Sequence, residues 1–233
     1  MKMIPVTVLT GFLGSGKTTL LSHLLRHPEM GRTAVIINEF GEMGLDHELV
    51  ATSEEDFVEL TTGCLCCRLR DDLVLTLHDL LARRRREEVT AFNQIVIETT
   101  GLADPAPILQ TLASDVALAE TLKLANVVTT VDALLGLETL TRFSESARQV
   151  AVADKLVLTK TDLVDDDGQR LLSNVRKLNP WAPLHSAVNG RIAPSLLMGS
   201  TQERVDPLRW LGQGVFDGVQ PKSAQQNGND RGP

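Results

Sequence analysis

Short runs of aliphatic and β-branched residues alternate along this chain with longer stretches in which apolar positions recur at helical spacing. The strand-like runs are IPVTVLT (4–10), TAVIINEF (33–40), FVEL (57–60), QIVIET (94–99), NVVTTVD (126–132), KLVLTK (155–160) and PLHSA (183–187). Most are nearly continuous in apolar residues, the pattern of parallel strands covered on both faces. Between them the spacing predicts helices near 17–26, 69–86, 105–122, 143–153 and 168–178. This alternation predicts an α/β domain with a mainly parallel sheet flanked by helices. Right-handed crossovers then gather the C-terminal strand ends on one edge, where such sheets bind ligands. The pattern dissolves near residue 199. Residues 199–233 are rich in Gly, Gln, Asn and Pro and read as a disordered polar tail, leaving 1–198 as the folded domain. No internal repeat is visible.

Composition narrows the picture. Hydrophobic residues make up 42% and charged residues 23% of the 233 positions, as in an ordinary globular protein. Aromatics are 3%, with no Tyr, so the core must rest on Leu, Val, Ile and Ala, and platforms for stacking nucleobases are not expected. A net charge of −7 argues against broad binding to nucleic acid or anionic membranes. No run reaches the roughly 18 apolar residues of a membrane span. The apolar N-terminus flows straight into a glycine-rich loop without a cleavage site, so it reads as a strand rather than a signal peptide. Three clustered cysteines do not form a secreted disulfide framework, and a cytoplasmic location is expected. The run Arg83 to Arg86 reads as the solvated end of a helix, with an acidic partner or RNA as the sharper alternative.

The segment GFLGSGKTT at 11–19 fits G-x-x-x-x-G-K-[ST] between a predicted strand and a predicted helix. Gly11, Gly14, Ser15 and Gly16 let backbone N–H groups curl around phosphates at the helix N-terminus. Lys17 is expected to bridge the β- and γ-phosphates, Thr18 to offer its hydroxyl to Mg²⁺, and Thr19 to lie near the α-phosphate. Glu98 ends an apolar strand, where a second Mg²⁺-associated acid belongs, and Gly101 can bring its N–H to a γ-phosphate. Thr159, Lys160 and Asp162 follow another strand in the pattern T-K-x-D. A carboxylate there can accept from the N1–H and exocyclic amine of guanine, whereas adenine has an acceptor at N1 and no amine at C2. Lys160 can lay its stem along the base. Ser186 and Ala187 suit the segment whose backbone N–H meets the guanine O6.

All three cysteines, Cys64, Cys66 and Cys67, fall within GCLCC at 63–67. They supply up to three thiolates to one ion, one short of a closed structural zinc site. Cys64 and Cys66 share a side of an extended segment, and a turn eased by Gly63 is expected to bring in Cys67. Thiolates favour Zn²⁺ or Cu(I), with Co²⁺ and Ni²⁺ as alternatives. Candidates for the fourth ligand are Glu39, Glu42, His47, water or a partner protein. Incidental buried thiols and a redox pair are the competing readings, the latter without C-x-x-C spacing.

Taken together, GFLGSGKTT, INEFGE (37–42), GCLCC, ETTGLADP (98–105), TVDA (130–133) and TKTDL (159–163) resemble the CobW-type GTPases, relatives of UreG and HypB in the SIMIBI class of phosphate-loop proteins. The resemblance covers roughly residues 4–190. Thr159 stands where the guanine motif usually has Asn. It implies GTP with Mg²⁺ as nucleotide and cofactor, a transition metal, zinc first, on the C-x-C-C motif, and switching around INEFGE and ETTGLADP. It also implies a further C-terminal domain, in place of which this sequence has the polar tail.

The expected function is a slow GTPase acting as a metallochaperone or metal insertase for an unidentified client metalloprotein, a homodimer being compatible. Lys17 and Glu98 are the expected catalytic residues, with Glu39 or Glu98 orienting the attacking water. The alternatives are a phosphate-loop small-molecule kinase and a non-catalytic sensor that binds GTP and metal.

Overall fold

The structure, a computed structural model, describes residues 3–37, 57–59, 65–68, 73–166 and 168–198, with the backbone alone at 57–59 and 65–68. Among the described residues, eight strands form one sheet: β1 (Ile4–Gly11), β2 (Thr33–Ile37), β3 (Phe57–Glu59), β4 (Leu65–Arg68), β5 (Gln94–Glu98), β6 (Leu122–Asp132), β7 (Lys155–Thr159) and β8 (Leu184–Ala187). Their order is β3-β4-β2-β5-β1-β6-β7-β8. All pairs are parallel except β3 with β4. The helices are α1 (Lys17–Leu25), α2 (Leu73–Arg85), α3 (Pro105–Ser114), α4 (Val116–Thr121), α5 (Gly136–Arg142), α6 (Ser144–Ala151) and α7 (Gln169–Leu178). Among the described residues no helix is long and apolar enough to cross a membrane.

Burial on both faces explains the continuous apolar runs. Alternate residues along each strand feed different cores. Val6 and Val8, Ala34 and Ile36, and Ile95 and Ile97 pack with Leu77 and Leu80 of α2 and Leu109 of α3. The intervening Leu9, Val35, Ile37, Val96 and Val157 pack on the other face with Leu20, Leu21, Leu24 and Leu25 of α1. A third cluster joins Val131, Leu156 and Leu158 to Val150 of α6 and to Leu171 and Val175 of α7. Each fully buried Leu or Val contributes about 1.5–3 kcal/mol, so the strands hold their level in the sheet and their C-terminal ends stay aligned.

Several elements differ from the sequence reading. The single helix expected over 105–122 is two helices. Asp115 leaves the helical region at φ −75°, ψ 112° and caps α4, accepting from the Leu118 N–H at 2.8 Å. Strand β6 begins at Leu122, where helix was expected, and α5 was not expected at all. A strand, β4, covers Cys66 and Cys67. The last part of the strand expected at 33–40, the start of the helix expected at 69–86, and the tail from 199 lie outside the described residues.

Candidate functional site

The central strand β1 runs directly into the phosphate loop. Gly11 has φ 146°, and a Cβ there would lie 2.2 Å from Thr130 Oγ1, so both conformation and space require glycine. Ser15 closes the turn through its N–H to the Phe12 carbonyl at 3.1 Å, and its hydroxyl lies 2.7 Å from Thr130 Oγ1. Gly16, at φ 88°, begins α1 with no side-chain cap and no acidic residue in the first turn. The first N–H groups of α1 are therefore left to an external acceptor, the arrangement that binds phosphate. Lys17 is buried, and its Nζ donates to the carbonyls of Gly11 at 2.9 Å and Phe12 at 3.2 Å. Thr19 is exposed on the first turn, and its carbonyl lies against Gly190, where a Cβ would come within 2.6 Å.

One strand away, Glu98 ends β5 in register with Leu9. It is 2% exposed and accepts from the Thr18 hydroxyl at 2.7 Å. A hydroxyl and a buried carboxylate in contact are hard oxygen donors, and this donor set fits Mg²⁺. After Glu98, Thr99 is tied to β1 through its N–H to the Leu9 carbonyl at 3.0 Å and its hydroxyl to Thr10 Oγ1 at 2.8 Å. Gly101 follows. A Cβ on it would fall 2.6 Å from the Leu13 nitrogen, so the two loops touch backbone to backbone.

On the other side of β1, the ends of β6, β7 and β8 are level: Asp132 pairs with Thr159, and Thr159 with Ala187. The Thr159 hydroxyl donates to the Ser15 carbonyl at 2.7 Å. Lys160 has φ 56°, and its Nζ meets Asp132 Oδ2 at 2.6 Å. Asp132 Oδ1 also accepts from the N–H groups of Leu134 at 2.8 Å and Leu135 at 3.1 Å. Asp162 is exposed in the 3-10 turn Thr161–Leu163. Ser186 and Ala187 are the last residues of β8 rather than loop residues, and the turn that follows has positive φ at Asn189 and Gly190. Asp132 stood in a recognised motif without a role. Its position opposite Thr159 becomes visible only once the strands are in register.

The thiol motif is placed in part. Cys64, Glu39, Glu42 and His47 lie outside the described residues. Cys66 and Cys67 both belong to β4, in register with Val35 and Ile36 of β2, so the turn expected to bring in Cys67 does not occur between them. Successive strand positions fall on alternate faces of the sheet. Ile37 pairs with Arg68 on one side and with Glu98 on the other, so the cysteine strand ends level with the Thr18–Glu98 pair, with β2 between. Two strand spacings put β4 about 10 Å from β5. Among the described residues there is no group of three or more His, Cys, Asp or Glu side chains that could hold a metal ion.

Comparison with known proteins agrees with this layout. Residues 5–186 match the model of the CobW/HypB/UreG nucleotide-binding domain. The zinc chaperone YjiA of Escherichia coli is 40% identical over 200 residues, covering 86% of this chain and 62% of that protein. The zinc-regulated GTPase metalloprotein activator 1 of Schizosaccharomyces pombe is 36% identical over 198 residues, covering 81% of this chain and 47% of its own length. The chain therefore spans between about half and three-fifths of these relatives. The crystal structure of Zn(II)-bound YjiA GTPase from E. coli superposes with a TM-score of 0.72 at 36% identity, covering 91% of this chain and 69% of that one. HypB from Helicobacter pylori, in complex with nickel, shares the fold at a TM-score of 0.55 and 16% identity, covering 82% of this chain and 81% of that one. By its matched span and its similarity to YjiA, the chain belongs to the CobW/HypB/UreG family, as a member of the CobW type.

Proposed function

We propose that this chain is the nucleotide-binding module of a GTP-hydrolysing metallochaperone that takes a transition metal, zinc first, on its cysteine motif and passes it to a client metalloprotein as GTP turns over. The observation that carries this reading is the register across β2. Ile37 joins Glu98, at the candidate Mg²⁺ and phosphate site, to Arg68, the residue after Cys67. A change at the phosphate end of β5 reaches the thiol strand through one intervening strand. The names of the similar proteins, a zinc chaperone and a zinc-regulated GTPase metalloprotein activator, point the same way.

In this reading Lys17 exchanges its two loop carbonyls for β- and γ-phosphate oxygens, and the uncapped N-terminus of α1 receives the phosphates. Thr18 and Glu98 would hold Mg²⁺, which when bound neutralises charge on the phosphate oxygens. Asp162 reads guanine, and Lys160, steadied by Asp132, borders the base. The Gly101 N–H reaches the γ-phosphate, and Glu98 or Glu39 orients the attacking water. Hydrolysis is slow, because the site draws no arginine finger from its own motifs.

The metal is cargo. Thiolates from Cys64, Cys66 and Cys67 bind it as a soft-ligand set. Strand neighbours alternate faces, so gathering both Cys66 and Cys67 on one ion requires β4 to give up its pairing locally. That makes the loaded and paired states alternatives that a nucleotide can select. The test is a zinc titration of the wild type and of Cys66→Ala, each with GDP and with a non-hydrolysable GTP analogue. The expected result is tighter zinc binding in one nucleotide state and loss of that difference in Cys66→Ala. Equal wild-type affinities with both nucleotides would remove the coupling.

A further inference from the structure

Helix α6 carries a side chain that none of the nucleotide motifs accounts for. Gln149 is 1% exposed. Its Nε2 donates to the carbonyls of Gly101 at 3.1 Å and Ala103 at 3.0 Å. Carbonyls only accept, so these partners decide which end of the amide is nitrogen. The Gln149 backbone carbonyl accepts from Thr129 Oγ1 at 2.8 Å, which fastens this point of α6 to β6. Its Oε1 is buried with no hydrogen-bond partner among the described residues. Gln149 lines a small cavity of mixed polar and apolar lining, with Leu13, Ser15, Thr130, Asp132 and Val131, directly behind the phosphate loop. A buried acceptor left without a partner is costly. Among the described residues, the hydrogen bonds of the amide are the two its nitrogen makes.

That nitrogen spans a turn. The Ala103 N–H donates to the Thr100 carbonyl at 3.1 Å, and Gln149 holds the two carbonyls that project from the same turn. On the far side, Gly101 rests against the backbone of Leu13. Gly101 is thus pinned between the phosphate loop and α6. Arg148 adds a second tie to this segment, to Asp104 at 3.3 Å, but both partners are partly in solvent and such a pair contributes little.

We infer that Gln149 is a positioning residue for the triphosphate state: its amide sets the Gly101–Ala103 turn so that the Gly101 N–H meets the γ-phosphate. The inference rests on the proposed role of Gly101 at that phosphate. It predicts a difference between nucleotides, because GDP presents no atom at this position. A residue that merely supports the fold would weaken both nucleotides alike.

The experiment uses the full chain with Mg²⁺ and compares wild type with two variants. Gln149→Met keeps the size of the side chain and removes the donor. Gln149→Glu keeps size and polarity, and offers an O–H donor only when protonated. Affinities for GDP and for a non-hydrolysable GTP analogue are measured by titration at about pH 8 and about pH 6, a range into which burial raises a glutamate. Gln149→Met is expected to lose about tenfold in analogue affinity, the scale of two lost hydrogen bonds, while GDP affinity stays within about twofold. Gln149→Glu is expected to show the same selective loss at the higher pH and to regain part of it at the lower, relative to wild type at each pH. Equal losses for both nucleotides, or no loss for either, overturn the inference while wild-type GTP binding stands. If Gln149→Met does not fold, the pH-dependent recovery in Gln149→Glu decides, and a pH-independent ratio overturns the inference. A wild type that fails to bind the analogue sinks the guanine-nucleotide reading and this inference with it.

Discussion

The hydroxyl of Thr159 donates to the carbonyl of Ser15 at 2.7 Å, joining the C-terminal end of β7 to the phosphate loop. Its methyl borders Gly16, where a Cβ would lie 3.4 Å away. Threonine in place of the asparagine usual in this motif therefore still ties the two loops together. Thr159→Val keeps the shape and strands a buried carbonyl, so it is expected to cost about 1–3 kcal/mol and to weaken GDP binding. Thr159→Ser retains the hydroxyl and should stay near wild type. Thermal melting and a GDP titration check this, and a valine variant equal to wild type in both would remove the link.

Asp162 is exposed in the middle of a 3-10 turn capped by Lys160, whose ammonium is occupied by Asp132 at 2.6 Å. The proposed guanine contact is two hydrogen bonds accepted by one carboxylate. Asp162→Asn keeps one acceptor and substitutes an N–H₂ donor, which suits a carbonyl at C2 rather than an amine. The variant is expected to lose GTP and gain XTP, changing the ratio of affinities by about 10²-fold or more. Competition titrations with the two triphosphates measure it, and an unchanged preference would move base recognition elsewhere.

The sheet and the phosphate loop were legible because their causes are local. Continuous apolar runs report strands buried on both faces, and Gly11 through Thr18 carry both the turn and its chemistry in one segment. The break at Asp115 was hidden by apolar spacing that continues through it, while the side chain caps a new helix. Gln149 and Asp132 were not legible as site residues. Gln149 sits on a helix and acts on a loop 46 positions earlier, and Asp132 acts on a lysine 28 positions later. Such pairings exist only after the strands have taken their register. Cys66 and Cys67 were found as thiols, but their strand pairing with β2 was not, because a four-residue segment flanked by Gly63 reads equally well as a turn.

The contact of Thr18 with Glu98 at 2.7 Å places the two proposed Mg²⁺ groups together. Glu98→Gln removes the charge and keeps the shape. It is expected to lower Mg²⁺ affinity in the nucleotide complex about 10- to 100-fold and to reduce GTP hydrolysis with it, while GDP binding in EDTA stays close to wild type. Mg²⁺ titrations followed by phosphate release check the ordering. Hydrolysis in Glu98→Gln that saturates at wild-type Mg²⁺ would take the carboxylate out of the metal site.

His185 lies on β8 in register with Val157, a diagonal neighbour of Lys155 on the adjacent strand. The side chain is exposed, but partial desolvation by its neighbours, and secondarily the Lys155 ammonium, push its pKa below the ordinary histidine value. The neutral imidazole is therefore favoured in the folded chain more than in the unfolded one. At neutral pH and above, both states are neutral at this residue and nothing is lost. As pH falls through the ordinary value of about 6.5, the unfolded chain takes the proton first, and stability declines until the folded pKa is passed. His185→Gln should remove this part of the slope, so the stability of wild type relative to the variant falls as pH drops through the ordinary histidine value. Lys155→Met should flatten the same slope in part by withdrawing the cation, although it also gives up the Lys155 hydrogen bond to the Leu196 carbonyl at 3.1 Å. Urea unfolding at a series of pH values measures all three proteins. Parallel pH profiles for wild type and His185→Gln would show that this imidazole titrates alike in both states, and would leave the acid sensitivity to other groups.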